Sequence, residues 1–197
     1  MSAINDTSKL VLALKEQEDP TDTMKYVKTL IEKGCSINDI MKAAIDENRI
    51  DFVNSIIKID PKIISYKDDL QVTYLHKAIH ASYVSSKYDI IHLMIKSGFE
   101  VNAKTIFGCT PLIHATVANR SSIVRLLLEN SANVNDQTAE NGRTALMFAI
   151  YRWNKQIPNL IEFGASVSIR NNKGFSAIEC ALYRNKIEAM KIILYLT

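Results

Sequence analysis

Apolar residues in this chain fall in short blocks separated by brief polar stretches. Ile123, Leu126 and Leu127 recur at helical spacing, and Ile90 to Ile95 forms a comparable block, so each predicts a helix that buries one stripe. No apolar run approaches the roughly 18 residues that span a bilayer. Ile56-Ile57 and Leu126-Leu127-Leu128 are short and interrupted by charge. The pattern predicts many small helices and no membrane-inserted segment.

The blocks repeat in order. Gly108-Cys109-Thr110-Pro111-Leu112-Ile113-His114-Ala115 precedes Ile123 to Leu128 and then Ala132-Asn133-Val134-Asn135. Gly142-Arg143-Thr144-Ala145-Leu146-Met147-Phe148-Ala149 and Leu160 to Val167 repeat that order, and Gly174-Phe175-Ser176-Ala177-Ile178-Glu179-Cys180-Ala181 begins it again. Upstream, Thr73 to Ala78 precedes Ile90 to Ile95 and Gly98-Phe99-Glu100-Val101-Asn102. The series resembles the ankyrin repeat, with its G-x-T-P-L-H-x-A core, second helix and G-A-x-V-N turn. Counting five residues back from the alanine of each copy gives Asp39, Thr73, Thr110, Thr144 and Ser176, spaced by 34, 37, 34 and 32, close to the roughly 33 of that family. Ser8 to Ala13, with Val27, Leu30 and Gly34, supplies a degenerate first copy.

The resemblance implies an all-α ankyrin-repeat solenoid of helix-turn-helix units with short β-hairpin-like loops. Six copies are expected, at about 5–36, 37–66, 67–103, 104–137, 138–169 and 170–197, forming one domain with the first and last as caps. The Thr-equivalent is expected to cap helix 1 by accepting a backbone N–H, and Pro111 suits the first helical position. The third copy carries about four extra residues around Tyr83 to Tyr88, and the fifth has Pro158 where its second helix should lie. Because an interior proline costs roughly 3 kcal/mol, that helix should start near Pro158 and be short. The chain stops at the end of a second helix, so the last copy is either a cap or continues in a longer protein, with Ile193 and Leu196 expected to be exposed.

Glycine numbers only six in 197 residues, against roughly fourteen at average usage, and neither GxGxxG nor GxxxxGK[ST] occurs. Nucleotide-binding loops are therefore not expected. Gly34, Gly98 and Gly164 fall after second helices, where Asp60 and Ser131 stand in elsewhere; Gly108, Gly142 and Gly174 fall two before the Thr-equivalent. Three cysteines, Cys35, Cys109 and Cys180, share no metal spacing, which with the absence of a secretory signal pattern at Met1 to Leu14 suggests a soluble cytoplasmic protein, in a host cell if pathogen-encoded. The net charge of +3 is too small to argue for nucleic acid. It is uneven, however: residues 1–98 hold 13 Lys/Arg and 14 Asp/Glu, residues 99–197 hold 11 and 7, and six of seven arginines lie in the second half.

Candidate chemistry is sparse. His76 and His80 share a helix face at i, i+4, but His76 occupies the family's structural histidine position, and a zinc site wants three or four ligands. His114 sits one place beyond that position, now Ile113, and is expected at the surface or in packing between copies. Cys109 reads as a plain hairpin thiol rather than a nucleophile. Asn102 and Asn135 match a turn asparagine that is structural in the family and in some members resembles a hydroxylation site. No cofactor, metal or catalytic group is expected. The family's partners contact hairpin tips and the ends of the first helices, a concave groove. Carried onto this sequence, that mapping selects Phe107, Arg143, Tyr151, Arg152, Trp153, Lys173, Phe175, Tyr183 and Arg184. Aromatic and arginine side chains dominate interface energies, and a basic end favours an acidic protein partner. The expected function is a non-enzymatic, monomeric interaction module serving as adaptor, scaffold or competitive inhibitor. A pathogen effector aimed at a host factor, and the substrate-recognition part of a longer enzyme, are the alternatives.

Overall fold

The computed structural model describes residues 11, 14–15, 22–81, 87–152 and 155–196. Ser8 to Leu10, Leu12 and Ala13 lie outside these, as do residues 83–86 of the third copy's extra stretch around Tyr83 to Tyr88, and Trp153. The described residues form two compact units, and contain α-helices, one 3-10 helix and no β-strand.

The first unit holds α1 (Thr23–Glu32), α2 (Ile37–Asp46), α3 (Ile50–Ile59), a 3-10 helix (Pro61–Ser65), α4 (Tyr74–Ala81) and α5 (Tyr88–Lys96). The second holds α6 (Pro111–Val117), α7 (Ser121–Glu129), α8 (Ala145–Arg152), α9 (Ile157–Glu162), α10 (Ala177–Tyr183) and α11 (Ile187–Leu196). Within each unit, like packs on like. The first helices α2 and α4 stack together, as do α6, α8 and α10, while the second helices pair as α1 with α3, α3 with α5, and α9 with α11. Ala44, Ala78, Ala115, Ala149 and Ala181, the register residues, are all fully buried. A side chain ending at Cβ lets stacked helices approach closely, and the larger Ile56, Met94, Leu127, Leu160 and Ile193 fill the space beneath.

Helix starts follow the register with one exception. Thr110 Oγ1 accepts from Ile113 N (3.3 Å), with Pro111 in the first helical position, and Thr144 Oγ1 accepts from Met147 N (3.4 Å). Ser176 makes a reciprocal pair: its Oγ accepts from Glu179 N (3.3 Å), and Glu179 accepts from Ser176 N (2.7 Å). In the second copy the cap is Ser36, accepting from Asn38 N at 3.2 Å, and not Asp39. Helix α2 begins three residues earlier than the count from Ala44 implies, which leaves Asp39 inside its first turn. Pro158 sits in the first turn of α9, and that helix is six residues long, as the cost of an interior proline requires.

All six glycines have positive φ, and so does Ser131. Asp60 does not: its φ is −131°, and its Oδ1 instead accepts from Lys62 N (3.1 Å) to start the 3-10 helix. The expectation for Ile193 is also corrected, because α11 turns that side chain fully inward and exposes Leu194 and Tyr195. The side chain of Leu196 lies outside the described set.

Two basic residues missed by the motif reading tie copies together in the first unit. Each directly precedes a second helix and reaches back to a carbonyl of the preceding copy. Arg49 donates to the Leu14 carbonyl, grips Asp51 through two nitrogens (3.0 and 2.6 Å) and lies 4.5 Å from the Phe52 ring centroid. Lys87, 1% exposed, donates to the carbonyls of Ile45 and Asp46, the latter at 2.8 Å. These are end carbonyls of α2 that lack an intrahelical partner, and cations are favoured at that pole. Burial pushes the Lys87 ammonium below its usual range.

Gly142 is a position where glycine is required: φ is +65°, and an added Cβ would lie 2.8 Å from Asn172 N. Gly142→Ala should lower the unfolding free energy by about 1–3 kcal/mol in urea titrations; an unchanged midpoint would contradict this geometry. Burial raises the Asp51 carboxyl, but the hydrogen bonds and charge of Arg49 outweigh it, so the group titrates below 3.8. Its stabilising contribution is fully present above that ordinary value and lost as pH falls through the lowered one. Asp51→Asn should therefore flatten part of the acid limb of a stability–pH profile and leave its alkaline limb unchanged.

Candidate protein-interaction face

Each hairpin before a first helix is closed by a polar side chain at its start. Asp68 Oδ1 accepts from Leu70 N (3.1 Å) and Val72 N (2.9 Å), and Thr105 Oγ1 accepts from Cys109 N (3.2 Å). Thr138 Oγ1 accepts from Arg143 N (3.1 Å), and Asn171 Oδ1 accepts from Lys173 N (2.9 Å) and Phe175 N (3.1 Å). Such side chains mimic a backbone turn. Sequence reasoning passed over them, although Asp, Thr or Asn five or six residues before each cap was a readable signal. Successive tips are then joined through the backbone: Ile106 N to Leu70 O (3.0 Å), Ala139 N to Phe107 O (2.9 Å), Asn172 N to Asn141 O (3.1 Å). At the base of the second unit, Asn102 donates to Ser131 O (3.0 Å) and accepts from Asn133 N (2.8 Å). Asn135 repeats this with Gly164 O (3.1 Å) and Ser166 N (2.8 Å). Both asparagines have the structural role expected of them.

On this frame five of the nine sequence-selected residues fall into two contacts, an arginine–tyrosine cluster and an aromatic stack. The Tyr151 ring, at the C-terminal end of α8, has the Arg143 guanidinium 4.1 Å from its centroid and that of Arg184 at 4.5 Å. Arg143 also lies 5.8 Å from the Phe148 ring. Phe175 and Tyr183 stack with centroids 5.6 Å apart, Tyr183 being 73% exposed and directly preceding Arg184 in the chain. Arg152 and Lys173 are exposed, Arg152 in the last turn of α8 and Lys173 at the final hairpin tip. Phe107 does not join this cluster; it is 53% exposed on its own tip, next to exposed Ile106. Leu70, whose carbonyl accepts from Ile106, is likewise exposed.

The electrostatics separate six of the seven arginines into two groups. Arg49 is paired with Asp51, Arg125 with Glu129 (2.9 Å) and Glu162 (3.7 Å), and Arg170 with Glu179 (2.8 Å). Arg143, Arg152 and Arg184 have no ion-pair partner among the described residues, and Arg143 Nε is buried without a hydrogen-bond acceptor. Glu179, accepting from the Ser176 backbone and hydroxyl region and held by Arg170, is kept below its usual carboxylate range. The local acid is therefore already committed away from the cluster.

The remaining chemistry is structural. His76 is fully buried, with Nδ1 2.9 Å from Thr73 Oγ1 and accepting from Thr73 N (3.3 Å), whereas His80 is exposed. Among the described residues no group of three or more His, Cys, Asp and Glu side chains is placed to hold a metal ion. Burial pushes the thiols of Cys35, Cys109 and Cys180 above their usual range, so none is primed as a nucleophile. No helix among the described residues is long and apolar enough to cross a membrane.

Comparison with known proteins agrees with this architecture. The chain matches the family model for ankyrin repeats (3 copies) over residues 40–138 and 79–159, more than half its length. It is 32% identical over 110 residues to an ankyrin repeat protein of fowlpox virus (strain NVSL), covering 54% of this chain and 32% of that protein. Over 79 residues it is 39% identical to ankyrin repeat and SAM domain-containing protein 6 of Rattus norvegicus, covering 40% of this chain and 9% of that one. It is also 26% identical over 110 residues to the tyrosine-protein kinase Shark of Drosophila melanogaster, covering 56% of this chain and 11% of the kinase. In each case the match spans no more than about a third of the relative's own length. The register, the helix pairs and the family match place this chain in the ankyrin-repeat family.

Proposed function

We propose that this chain is a non-enzymatic protein-interaction module, acting as adaptor, scaffold or competitive inhibitor. It binds an acidic protein surface through the hairpins and first-helix ends of its second unit. The observation that carries this reading is the cluster of Arg143, Tyr151 and Arg184: two guanidiniums on one aromatic ring, with no carboxylate of the described chain to neutralise them. Stacking on the ring supports these cations within the chain but leaves their charge without a carboxylate, and an acidic partner would gain both association rate and binding energy there. Phe175, Tyr183, Arg152, Lys173 and the separate Phe107 tip extend the same face; Trp153 follows Arg152 in sequence. Two narrower readings each have one observation in their favour. Identity to the fowlpox protein favours a pathogen-encoded member aimed at a host factor, and the match to a segment of a kinase favours the recognition part of a larger protein.

Arg152→Glu combined with Tyr183→Ala tests the face, because both side chains are exposed. Affinity purification from the native cell with quantitative mass spectrometry should show at least a tenfold loss of the captured partner. The circular dichroism melt should show a folded protein destabilised by no more than about 1.5 kcal/mol, the scale of the Phe175–Tyr183 stack that is lost. Capture at parental levels by the folded double variant would remove the assignment.

A further inference from the structure

The two unpaired arginines carry more information than a sign of charge. Their guanidinium carbons lie 4.1 and 4.5 Å from one ring centroid, which bounds their separation at 8.6 Å, the sum of those distances. An extended peptide advances about 3.3 Å per residue and points alternate side chains to one face, so side chains two apart are separated by roughly 6.6 Å. That step fits within the bound. Arg143 is held to two rings at once, Tyr151 and Phe148, and Arg184 caps the end of α10. Both cations are therefore restrained on a hydrophobic support rather than swinging free, which cuts the ordering cost of binding.

We infer that the acidic partner presents an extended segment with two carboxylates in the pattern acid-x-acid. One pairs with Arg143 and the other with Arg184, while an apolar side chain beside the pair packs on the Phe175–Tyr183 stack. This rests on the interaction reading above and deepens it. The glutamate nearest in sequence to the stack, Glu179, is already bonded to Arg170 and Ser176, so it does not compete.

The test is selection of a random peptide library displayed on phage against the parent chain and against Arg143→Gln/Arg184→Gln, with refolding checked by circular dichroism. The parent should enrich sequences with two acidic residues separated by one position and an aromatic or aliphatic neighbour, and the double variant should lose that spacing preference. For a synthesised winning peptide, changing either acid to its amide should weaken binding at least fivefold, and changing both should weaken it more than either alone. If the double variant does not fold, Arg184→Gln carries the test, because Arg184 is exposed at a helix end. Enrichment without acidic spacing, retention of the spacing by the variant, or no enrichment by the parent would overturn the inference. Tighter binding of a single phosphoserine in place of the acid pair would overturn it as well. Peptides that compete for this face but lack the acid pair would leave the broader interaction reading standing. Conversely, loss of that reading would show as partner capture surviving Arg152→Glu/Tyr183→Ala.

Discussion

No helix among the described residues is long enough to stand alone. The described helices run from six to ten residues, below the roughly 12–15 at which an isolated helix becomes marginal in water. Each first helix depends on a like neighbour in its stack, and the alanine at a fixed place in it permits that approach. The alanines bury no polar group and lose no rotamer freedom, and the bulk of the core around them is supplied by larger apolar side chains of both helices of each copy, such as Met41, Leu75, Leu112 and Leu146 on first helices and Ile56, Met94, Leu127 and Leu160 on second helices. The inter-copy hydrogen bonds then fix the register. Asn102 and Asn135 clamp one end of the second unit, and the tip-to-tip backbone bonds clamp the other. In the first unit Arg49 and Lys87 do comparable work from the start of the second helices.

This division of labour explains where function can sit. Polar groups that hold the stack are consumed by it, so Arg49, Arg170 and Arg125 are paired and their charge is spent locally. The hairpins and first-helix ends have their backbones fixed by turns and caps, which leaves their side chains outside the framework. Arg143, Tyr151 and Arg184 project from such positions, and there the pairing with carboxylates stops.

Much of this was legible because turn and cap chemistry is local. The glycine positions, Thr110 and Ser176 as caps, the short α9 after Pro158 and the burial of His76 all follow from neighbours within a few residues. The grouping of Arg143, Tyr151 and Arg184 was legible only as a set of groove positions, and its stacking geometry was not, since it depends on residues some forty apart. The errors have a similar cause. Asp39 was displaced as a cap because α2 extends one turn further back to Ser36, and the count from an alanine cannot detect an added turn. Asp60 departed from the glycine rule because Pro61 opens a 3-10 helix after it. Ile193 was misjudged because the last second helix faces the stack by rotation, which apolar content alone does not fix. Arg49 and Lys87 escaped notice since a basic residue before a helix reads by default as a solvated one.

The central claim is that the framework and the interaction face are different sets of residues in the same hairpins and helices. Hydrogen–deuterium exchange of the chain alone and bound to its captured partner measures that most directly. The account predicts slowed exchange on binding in the hairpins at 138–143 and 170–175 and at the ends of α8 and α10, with α7 and α9 unchanged. Protection confined to α7 and α9, with those hairpins exchanging as in the free chain, would contradict it.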